Sequence, residues 1–332
     1  MKTVFMVMVT VLLAGGMPEM VAAPAVTITG TNYQGWPDSY VLRNADVEAV
    51  VVPAVGRVMQ FRFLGEAGVF WENPALLGRV VPAGLEDWKT TDWANFGGDK
   101  AWPSPEASWS EWTKRATWRP PPGFDGNAYQ GRVDGDAVIL TSPEDPFLGI
   151  QVTRRVELSG RTGLRITTEF EKRSGDPTTC GIWVVVQLNE PVRLFAALPG
   201  KSIFTRNYIL LSQRTPPSLK IDQGLLALER DRTGAYKIGM DSERLLWGGD
   251  KHCLVIENPR QARLSYPDRG SSTEIYTSPD PLKYIELESL GPLKQLKPMD
   301  RLKESVTYQL SRRSHPTPDA EARAILHNSS GK

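Results

Sequence analysis

The sequence predicts an all-β fold, and three observations support this prediction. Short runs of β-branched and aromatic residues recur along the chain, turn signals separate them, and helical periodicity is almost absent. The 26 prolines and 29 glycines suit a β protein that is rich in loops. Many short strands of this kind pack as a sandwich or a barrel of mostly antiparallel strands. No long linker divides the chain, so residues 26–312 are predicted to form one domain.

The predicted strands follow one another at short intervals. The first two form a hairpin, in which residues 47–52 and 57–64 flank a Pro-Ala-Val-Gly turn. Further strands are predicted at 137–141, 150–158, 164–171, 182–188, 253–257, 284–288 and 305–310. Residues 313–332 are predicted as a C-terminal tail. In that tail, Thr317 as an N-cap and Pro318 after it favour a short helix, and a disordered segment fits the same composition.

Residues 85–122 differ from the rest of the chain. They show no period of a strand or a helix, and they carry six tryptophans among Asp, Lys, Ser and Pro: Trp88, Trp93, Trp102, Trp109, Trp112 and Trp118. Connections of this length are usually functional or disordered, and the aromatic content argues against disorder. We therefore expect a long structured loop without strands.

The charge balance and the N-terminal segment indicate which partners and which cellular compartment to expect. Lys plus Arg is 39 and Asp plus Glu is 38, so no excess of positive charge favours nucleic acid as a partner. Lys2, an apolar run over residues 4–13 and the small residues around Ala23 and Ala25 are typical of a signal peptide over residues 1–25. Cleavage near Ala23 or Ala25 would give a secreted or periplasmic protein. No later segment is apolar for long enough to span a membrane.

The sequence motifs of several common types of active site are missing. The three histidines are not at metal-ligand spacing, and the nucleophile-elbow, P-loop and dinucleotide-binding motifs do not occur, so no metal or cofactor is predicted. Cys180 and Cys253 either pair in an oxidising compartment or remain two buried free thiols. Their spacing does not decide between these alternatives.

Two predicted strands carry candidate binding residues. Alternation places Tyr284, Glu286 and Glu288 on one face of their strand. The two acids either form a polar floor for sugar hydroxyls, with one Glu as general base, or a solvent-facing stripe on an edge strand. In the same way, Trp183 and Gln187 share a face that suits stacking and hydrogen bonding to a sugar, or else belongs to a second core layer.

Four blocks of sequence carry a resemblance to a known family. They are the hairpin 47–64 with Val-Phe-Trp-Glu-Asn at 69–73, Asn-Phe-Gly-Gly-Asp-Lys-Ala-Trp-Pro-Ser-Pro-Glu at 95–106, Glu-Ile-Tyr-Thr at 274–277, and Tyr-Ile-Glu-Leu-Glu-Ser-Leu-Gly-Pro-Leu at 284–293. Together they resemble a bacterial branch of the galactose mutarotase-like, or aldose 1-epimerase-like, superfamily. The resemblance spans roughly residues 30–312.

The resemblance implies a supersandwich whose concave face holds a carbohydrate. In true mutarotases a Glu takes the proton of the anomeric hydroxyl and a His protonates the ring oxygen. By position in the chain, Glu288 or Glu286 stands for that Glu. No histidine precedes His252, so the mid-chain histidine has no counterpart, and Lys100 or Asp99 would have to take its place. The residues expected to bind substrate are Asp99, Lys100, Trp102, Trp183, Gln187 and Tyr276.

Three functional hypotheses follow, from different classes. The first is an exported carbohydrate-binding protein with its sugar site on the concave face. The second is an enzyme on that face, either a sugar epimerase or a glycan-cleaving enzyme that uses Glu288 and Glu286 as its catalytic residues. The third is a surface interaction protein that uses the Trp-rich loop.

Overall fold

Two antiparallel β-sheets packed against each other form most of the structure, a computed structural model that describes residues 25–81, 93–115, 118–279 and 281–327. The predicted all-β class is therefore confirmed. The predicted signal peptide, apart from its last residue, and Trp88 lie outside the described residues.

The described residues form 21 strands and two α-helices. In chain order the strands are β1 (Thr27–Tyr33), β2 (Trp36–Arg43), β3 (Val47–Val52), β4 (Arg57–Phe63), β5 (Asp99–Ser104), β6 (Gln130–Asp134), β7 (Ala137–Thr141), β8 (Ile150–Ser159), β9 (Gly163–Lys172), β10 (Thr178–Asn189), β11 (Arg193–Ala197), β12 (Ile209–Leu210), β13 (Lys220–Asp222), β14 (Leu225–Leu228), β15 (Tyr236–Met240), β16 (Arg244–Gly248), β17 (His252–Glu257), β18 (Thr273–Thr277), β19 (Tyr284–Leu290), β20 (Lys294–Leu296) and β21 (Arg301–Arg312). The helices are α1 (Trp109–Thr113) and α2 (Pro318–His327), and short 3-10 helices lie at Pro53–Val55, Glu106–Ser108 and Asp268–Gly270.

The first sheet has the order β1-β2-β3-β4-β5-β10-β19-β18-β15-β12, with β20 paired to β10. The second has the order β13-β14-β11-β16-β17-β21-β9-β8-β7-β6. Each of the nine strands predicted from the sequence corresponds to one of these elements, and eight lie entirely within theirs, while the predicted strand 57–64 ends one residue beyond β4.

The Trp-rich segment contains a strand that the sequence analysis did not predict. Strand β5 lies at the middle of the first sheet, between β4 and β10. Pro103 in this strand argues against a central position because proline cannot donate to a ladder. The strand tolerates it because β4 pairs with β5 at one position only, Val58 with Asp99, while β10 pairs along six residues of β5. The expectation of a segment without strands is therefore wrong.

A continuous apolar core lies between the two sheets, and it encloses a buried polar group. Phe61, Leu188 and Phe170 are among its fully buried side chains. Asp99 enters this core from the first sheet and accepts hydrogen bonds from Arg154 and Tyr308 of the second. The side chain of Asp99 thus marks which face of β5 is turned to the interior.

The predicted tail contributes a helix that packs on the second sheet. Ala322 and Leu326 of α2 lie against Phe195 and Leu246, on the side of that sheet away from the core. Arg244 donates to the carbonyl oxygen of Leu326 at 2.9 Å and so satisfies the end of the helix. Over residues 318–327 the segment is therefore helical and docked. Neither helix in the described part of the chain has the length and apolar character needed to cross a bilayer.

The two cysteines are free and buried in different sheets, Cys180 in β10 and Cys253 in β17. Burial raises the pKa of each thiol to about 12. Of the two alternatives in the sequence, the structure shows the pair of buried thiols.

Candidate functional site

The strand register brings most of the predicted site residues onto one face of the first sheet. In antiparallel sheets, directly paired residues point to the same side. Trp183 of β10 pairs with Trp102 of β5, and Gln187 of β10 pairs with Glu286 of β19. This is the outer face of the first sheet, turned away from the second sheet. Asp99 lies three residues before Trp102 along β5, so the two side chains point to opposite sides, and Asp99 points into the core.

Two rows of side chains cross the sheet on this outer face. One row runs from Lys100 of β5 through Val185 to Glu288 and then Glu274 of β18. The adjacent row begins at Gln187 and continues through Glu286, Tyr276 and Lys237 of β15. The two rows therefore collect two lysines and three glutamates.

Strand β19 is a central strand, so its two glutamates do not form a solvent-facing edge stripe. Glu288 is 1% exposed, and the side chain of Glu286 is 12% exposed. Of the two alternatives raised by the sequence, the edge-strand interpretation is wrong. Burial of the two acids requires partners, and each acid has a different set.

Glu288 and Glu274 share one lysine. The ammonium group of Lys237 lies 3.0 Å from Oε2 of Glu288 and 2.8 Å from Oε2 of Glu274. It also lies 4.4 Å from the centre of the Trp183 ring, whose Nε1 donates to Glu288 at 2.7 Å. Burial lowers the pKa of Lys237, but the attraction of Glu288 and Glu274 outweighs this effect and holds the pKa well above its ordinary value. This part of the face is a network of short ion pairs, in which Oε1 of Glu288 and Oε1 of Glu274 have no hydrogen-bond partner among the described residues.

Lys100 and Glu286 form a looser pair. Nζ of Lys100 lies 3.8 Å from Oε1 of Glu286, a separation too long for a hydrogen bond. The same Glu286 oxygen accepts a hydrogen bond from Gln187 at 2.8 Å. Among the described residues, Nζ of Lys100 has no hydrogen-bond partner although it is buried.

Burial shifts the pKa values of this pair toward each other. It lowers the pKa of Lys100 to about 8, against the opposing attraction of Glu286. It also raises the pKa of Glu286, with Lys100 opposing that rise. An amine and a carboxyl group with converging pKa values can exchange a proton near neutral pH, which is a requirement for acid–base catalysis.

The predicted aromatic platform is covered by other tryptophans. Trp102 and Trp183 are each 2% exposed, their ring centres lie 5.3 Å apart, and Trp109 packs at 5.5 Å and 5.9 Å from them. Trp118, at 48% exposed, is the ring of this group that reaches solvent. The two predicted stacking residues therefore belong to a second core layer, as the alternative interpretation of this face held.

Asp99 does not lie with the other predicted residues. It is fully buried on the opposite face of β5, where Arg154 and Tyr308 satisfy its carboxylate. The alternation of the strand separates it from its neighbour Lys100. The prediction that Asp99 binds substrate, or replaces the missing histidine, is inconsistent with this position.

The sequence analysis missed three residues that shape this face. Lys237 and Glu274 complete the ion-pair network, and the carboxylate of Asp125 accepts hydrogen bonds from the indoles of Trp93 at 3.0 Å and Trp102 at 3.2 Å. Asp125 is itself paired with Arg57 at 2.6 Å. Alternation along residues 236–240 and 273–277 is a signal that could have placed Lys237 and Glu274 on this face.

In the described ranges, no group of three or more His, Cys, Asp or Glu side chains is arranged to hold a metal ion. On the outer face, Lys100 and Glu286 are groups that can transfer a proton, and Gln187 can both donate and accept hydrogen bonds.

Comparisons with known proteins identify the fold. No family model matches the sequence, and no curated protein matches it. Among solved structures, a galactose mutarotase-like protein from Lactobacillus casei is 9% identical, with a TM-score of 0.54, 82% of this chain covered and 100% of that chain. A galactose mutarotase related enzyme from Lactobacillus acidophilus is 10% identical, with a TM-score of 0.52 and coverage of 83% and 97%. A protein from Escherichia coli K12, provisionally named an aldose 1-epimerase, is 11% identical, with a TM-score of 0.55 and coverage of 87% and 100%. The resemblance found in the sequence is thus confirmed at the level of structure, and the chain has the galactose mutarotase-like sandwich fold.

Proposed function

We propose that the protein is an exported carbohydrate-binding protein whose sugar site is the part of the outer face around Lys100, Gln187 and Glu286. The observation that carries this proposal is a set of buried polar atoms without partners among the described residues: Nζ of Lys100, Oε1 of Gln187 and Oε1 of Glu288. Leaving such atoms unpaired is costly in a folded protein.

A sugar would satisfy these atoms together. Each hydroxyl group both donates and accepts, so one polyol can accept from the ammonium of Lys100 and donate to the amide oxygen of Gln187. Glu286 and Tyr276 lie in the same row and are partly accessible, so this edge of the face offers the approach from solvent. The described tryptophans pack mainly inward, which makes the Trp-rich segment a poorer candidate for a surface interaction patch.

The test is a thermal-shift screen of the chain from Val26 onward against mono- and oligosaccharides. A sugar that raises the melting temperature of the wild type should fail to do so in Glu286→Gln. The matched control is Glu304→Gln, which removes a half-buried carboxylate from the second sheet and should leave the shift unchanged. Equal shifts in all three proteins would place the sugar elsewhere.

A second function, sugar epimerisation, is favoured by one specific observation. Glu286 and Lys100 face each other at 3.8 Å with pKa values displaced toward neutrality. In this mechanism Glu286 takes the proton of the anomeric hydroxyl and the Lys100 ammonium protonates the ring oxygen, which opens the ring without any cofactor. Glu288, tied to Lys237 and Trp183, positions the strand and does not exchange the proton.

Polarimetry on a freshly dissolved pure anomer tests the second function. The wild type should accelerate the approach to the equilibrium rotation, and Lys100→Met should lose the acceleration. A protein that binds sugar without any change in the rate of anomeric exchange is a binding module only.

A further inference from the structure

Lys100 has the surroundings of a nucleophilic amine. Its side chain is 1% exposed, and its Nζ lies 4.7 Å from the centre of the Trp102 ring and 5.7 Å from that of Trp93. Lysines that react with carbonyl groups are typically desolvated, because burial leaves a larger fraction of the amine unprotonated. In the described structure, no hydrogen bond immobilises this nitrogen.

A proton donor lies beside the amine. Glu286 is 3.8 Å from Nζ, and its side chain is the more accessible of the two, so a small molecule that approaches from solvent meets the carboxyl and the amine together. Imine formation requires this combination, since the amine must attack while an acid protonates the departing oxygen.

We propose that Lys100 forms an imine with the open-chain carbonyl form of a sugar or of a shorter hydroxyaldehyde. This inference rests on the proposed sugar site and extends it to covalent chemistry. The free electron pair of Nζ attacks the carbonyl carbon, a C–N bond forms, and one proton of the nitrogen passes to the carbonyl oxygen, which becomes a hydroxyl group. Glu286 then protonates that hydroxyl group and water leaves as the C=N bond forms. The remaining proton on the nitrogen returns to the Glu286 carboxylate. The balance is one amine plus one carbonyl to one imine plus one water, with no oxidant or reductant.

A second buried lysine, Lys172, provides a matched control. Lys172 is also 1% exposed, but its Nζ donates to the carbonyl oxygen of Leu148 and to Oγ1 of Thr178. Burial lowers the pKa of Lys172 as well. A difference in reactivity between Lys100 and Lys172 therefore reports the open position of the Lys100 nitrogen and its carboxyl neighbour, and not burial alone.

The experiment is reductive trapping. The full chain is incubated with glycolaldehyde and cyanoborohydride at pH 7 and digested, and the modified lysines are identified by mass spectrometry as peptides heavier by the probe less one oxygen atom. A pKa of about 8 gives Lys100 a free-amine fraction roughly 300-fold above that of an ordinary exposed lysine at this pH. We expect Lys100 to be labelled about tenfold or more faster than Lys172 and than the exposed lysines.

The pH dependence of labelling depends on all charged groups near the amine. Glu286, Asp125 and Asp99 raise the pKa of Lys100, whereas Arg57 lowers it together with burial. Labelling of Lys100 should therefore rise from pH 6 and level off near pH 9, while exposed lysines continue to gain reactivity up to about pH 11.

Two variants separate the possible outcomes. Lys100→Arg keeps the positive charge and should lose the labelled peptide, and Glu286→Gln keeps the amine and should slow its labelling. Labelling of Lys100 at the rate of Lys172 or of exposed lysines would overturn the proposal. If the thermal-shift screen detects a sugar but Lys100 is not trapped, the imine proposal alone fails. If Lys100 is trapped but no sugar binds, the sugar site fails and the reactive amine stands.

Discussion

Lys237 offers a direct test of how the charges on the outer face are held. Its ammonium group is the shared partner of Glu274 and Glu288, at 2.8 Å and 3.0 Å, and these carboxylates are 0% and 1% exposed. The variant Lys237→Met keeps much of the side-chain volume but leaves both carboxylates without their cation. Removing one partner of a buried ion pair costs about 3–5 kcal/mol, because the remaining charge is uncompensated. For a domain of this size, that loss lowers the melting temperature by about 10 °C.

The pH dependence of the loss follows from the raised pKa of Glu274. Burial raises this pKa, Glu288 adds to the rise and Lys237 opposes it, so removal of the lysine raises the pKa further. A carboxyl group with a raised pKa in the folded state favours folding when protonated, and this contribution is lost as the pH rises through that pKa. The deficit of Lys237→Met relative to the wild type should therefore be largest at pH 8 and shrink toward pH 5.

Urea unfolding at pH 5, 6.5 and 8 measures the loss in free energy of unfolding of Lys237→Met and the direction in which this loss changes with pH. The control is Lys172→Met, which removes a buried lysine whose amine donates to a carbonyl and a hydroxyl group. That variant should lose about 1–3 kcal/mol, with little change over the same pH range. A Lys237→Met protein as stable as the wild type, or one whose deficit grows on acidification, would refute the shared-cation interpretation.

Three further predictions concern the tryptophan layer, a lone carboxylate and the thiols. Trp102→Ala should reduce the free energy of unfolding by about 3–5 kcal/mol, whereas Trp118→Ala, which removes a half-exposed ring, should cost about 1 kcal/mol or less, as measured by urea unfolding. Burial raises the pKa of Glu304 from 4.5 to about 7, so wild-type stability should contain a component that falls as the pH rises from about 4.5 to about 7, and Glu304→Gln should lack it; identical pH slopes would contradict this assignment. Cys180 and Cys253 should react with iodoacetamide only after denaturation, and an intact mass two hydrogen atoms lower than that of the reduced chain would show a disulfide instead.

The parts of the fold that the sequence predicted are those set by local alternation. Strand β8 could be predicted because apolar and polar residues alternate along it, and β7 because it is a short run of apolar and β-branched residues. Turn residues mark the ends of both strands. Strand β5 was missed because Pro103 and the surrounding polar and aromatic residues show no alternation of hydrophobicity. Its place in the sheet comes from long-range pairing with β10, which no local pattern contains.

For the candidate site, the sequence predicted which residues share a face of a strand, but not which of them are buried. Alternation placed Glu286 with Glu288, and Trp183 with Gln187, correctly on shared faces. It did not show that β19 lies between β10 and β18, which buries the acids, or that Trp109 covers Trp183. The resemblance suggested both Asp99 and Lys100 as site residues. They are consecutive residues of one strand, however, so their side chains point to opposite sides of the sheet.

The two buried ionic groups of the first sheet differ in a way that supports the proposed site. Between the sheets, the carboxylate of Asp99 is fully satisfied by Arg154 and Tyr308, so the group needs nothing further. On the outer face, two lysines and three glutamates are desolvated at considerable cost, and around Lys237 two short ion pairs offset part of that cost. The Lys100–Glu286 pair is left at 3.8 Å, with the ammonium unpartnered in the described structure. A purely structural ion pair would be expected to close to hydrogen-bond distance, since the folded state gains nothing from an open one. The separation is instead suited to a group that enters between them, and a sugar hydroxyl or carbonyl oxygen has the size and the hydrogen-bonding capacity to do so.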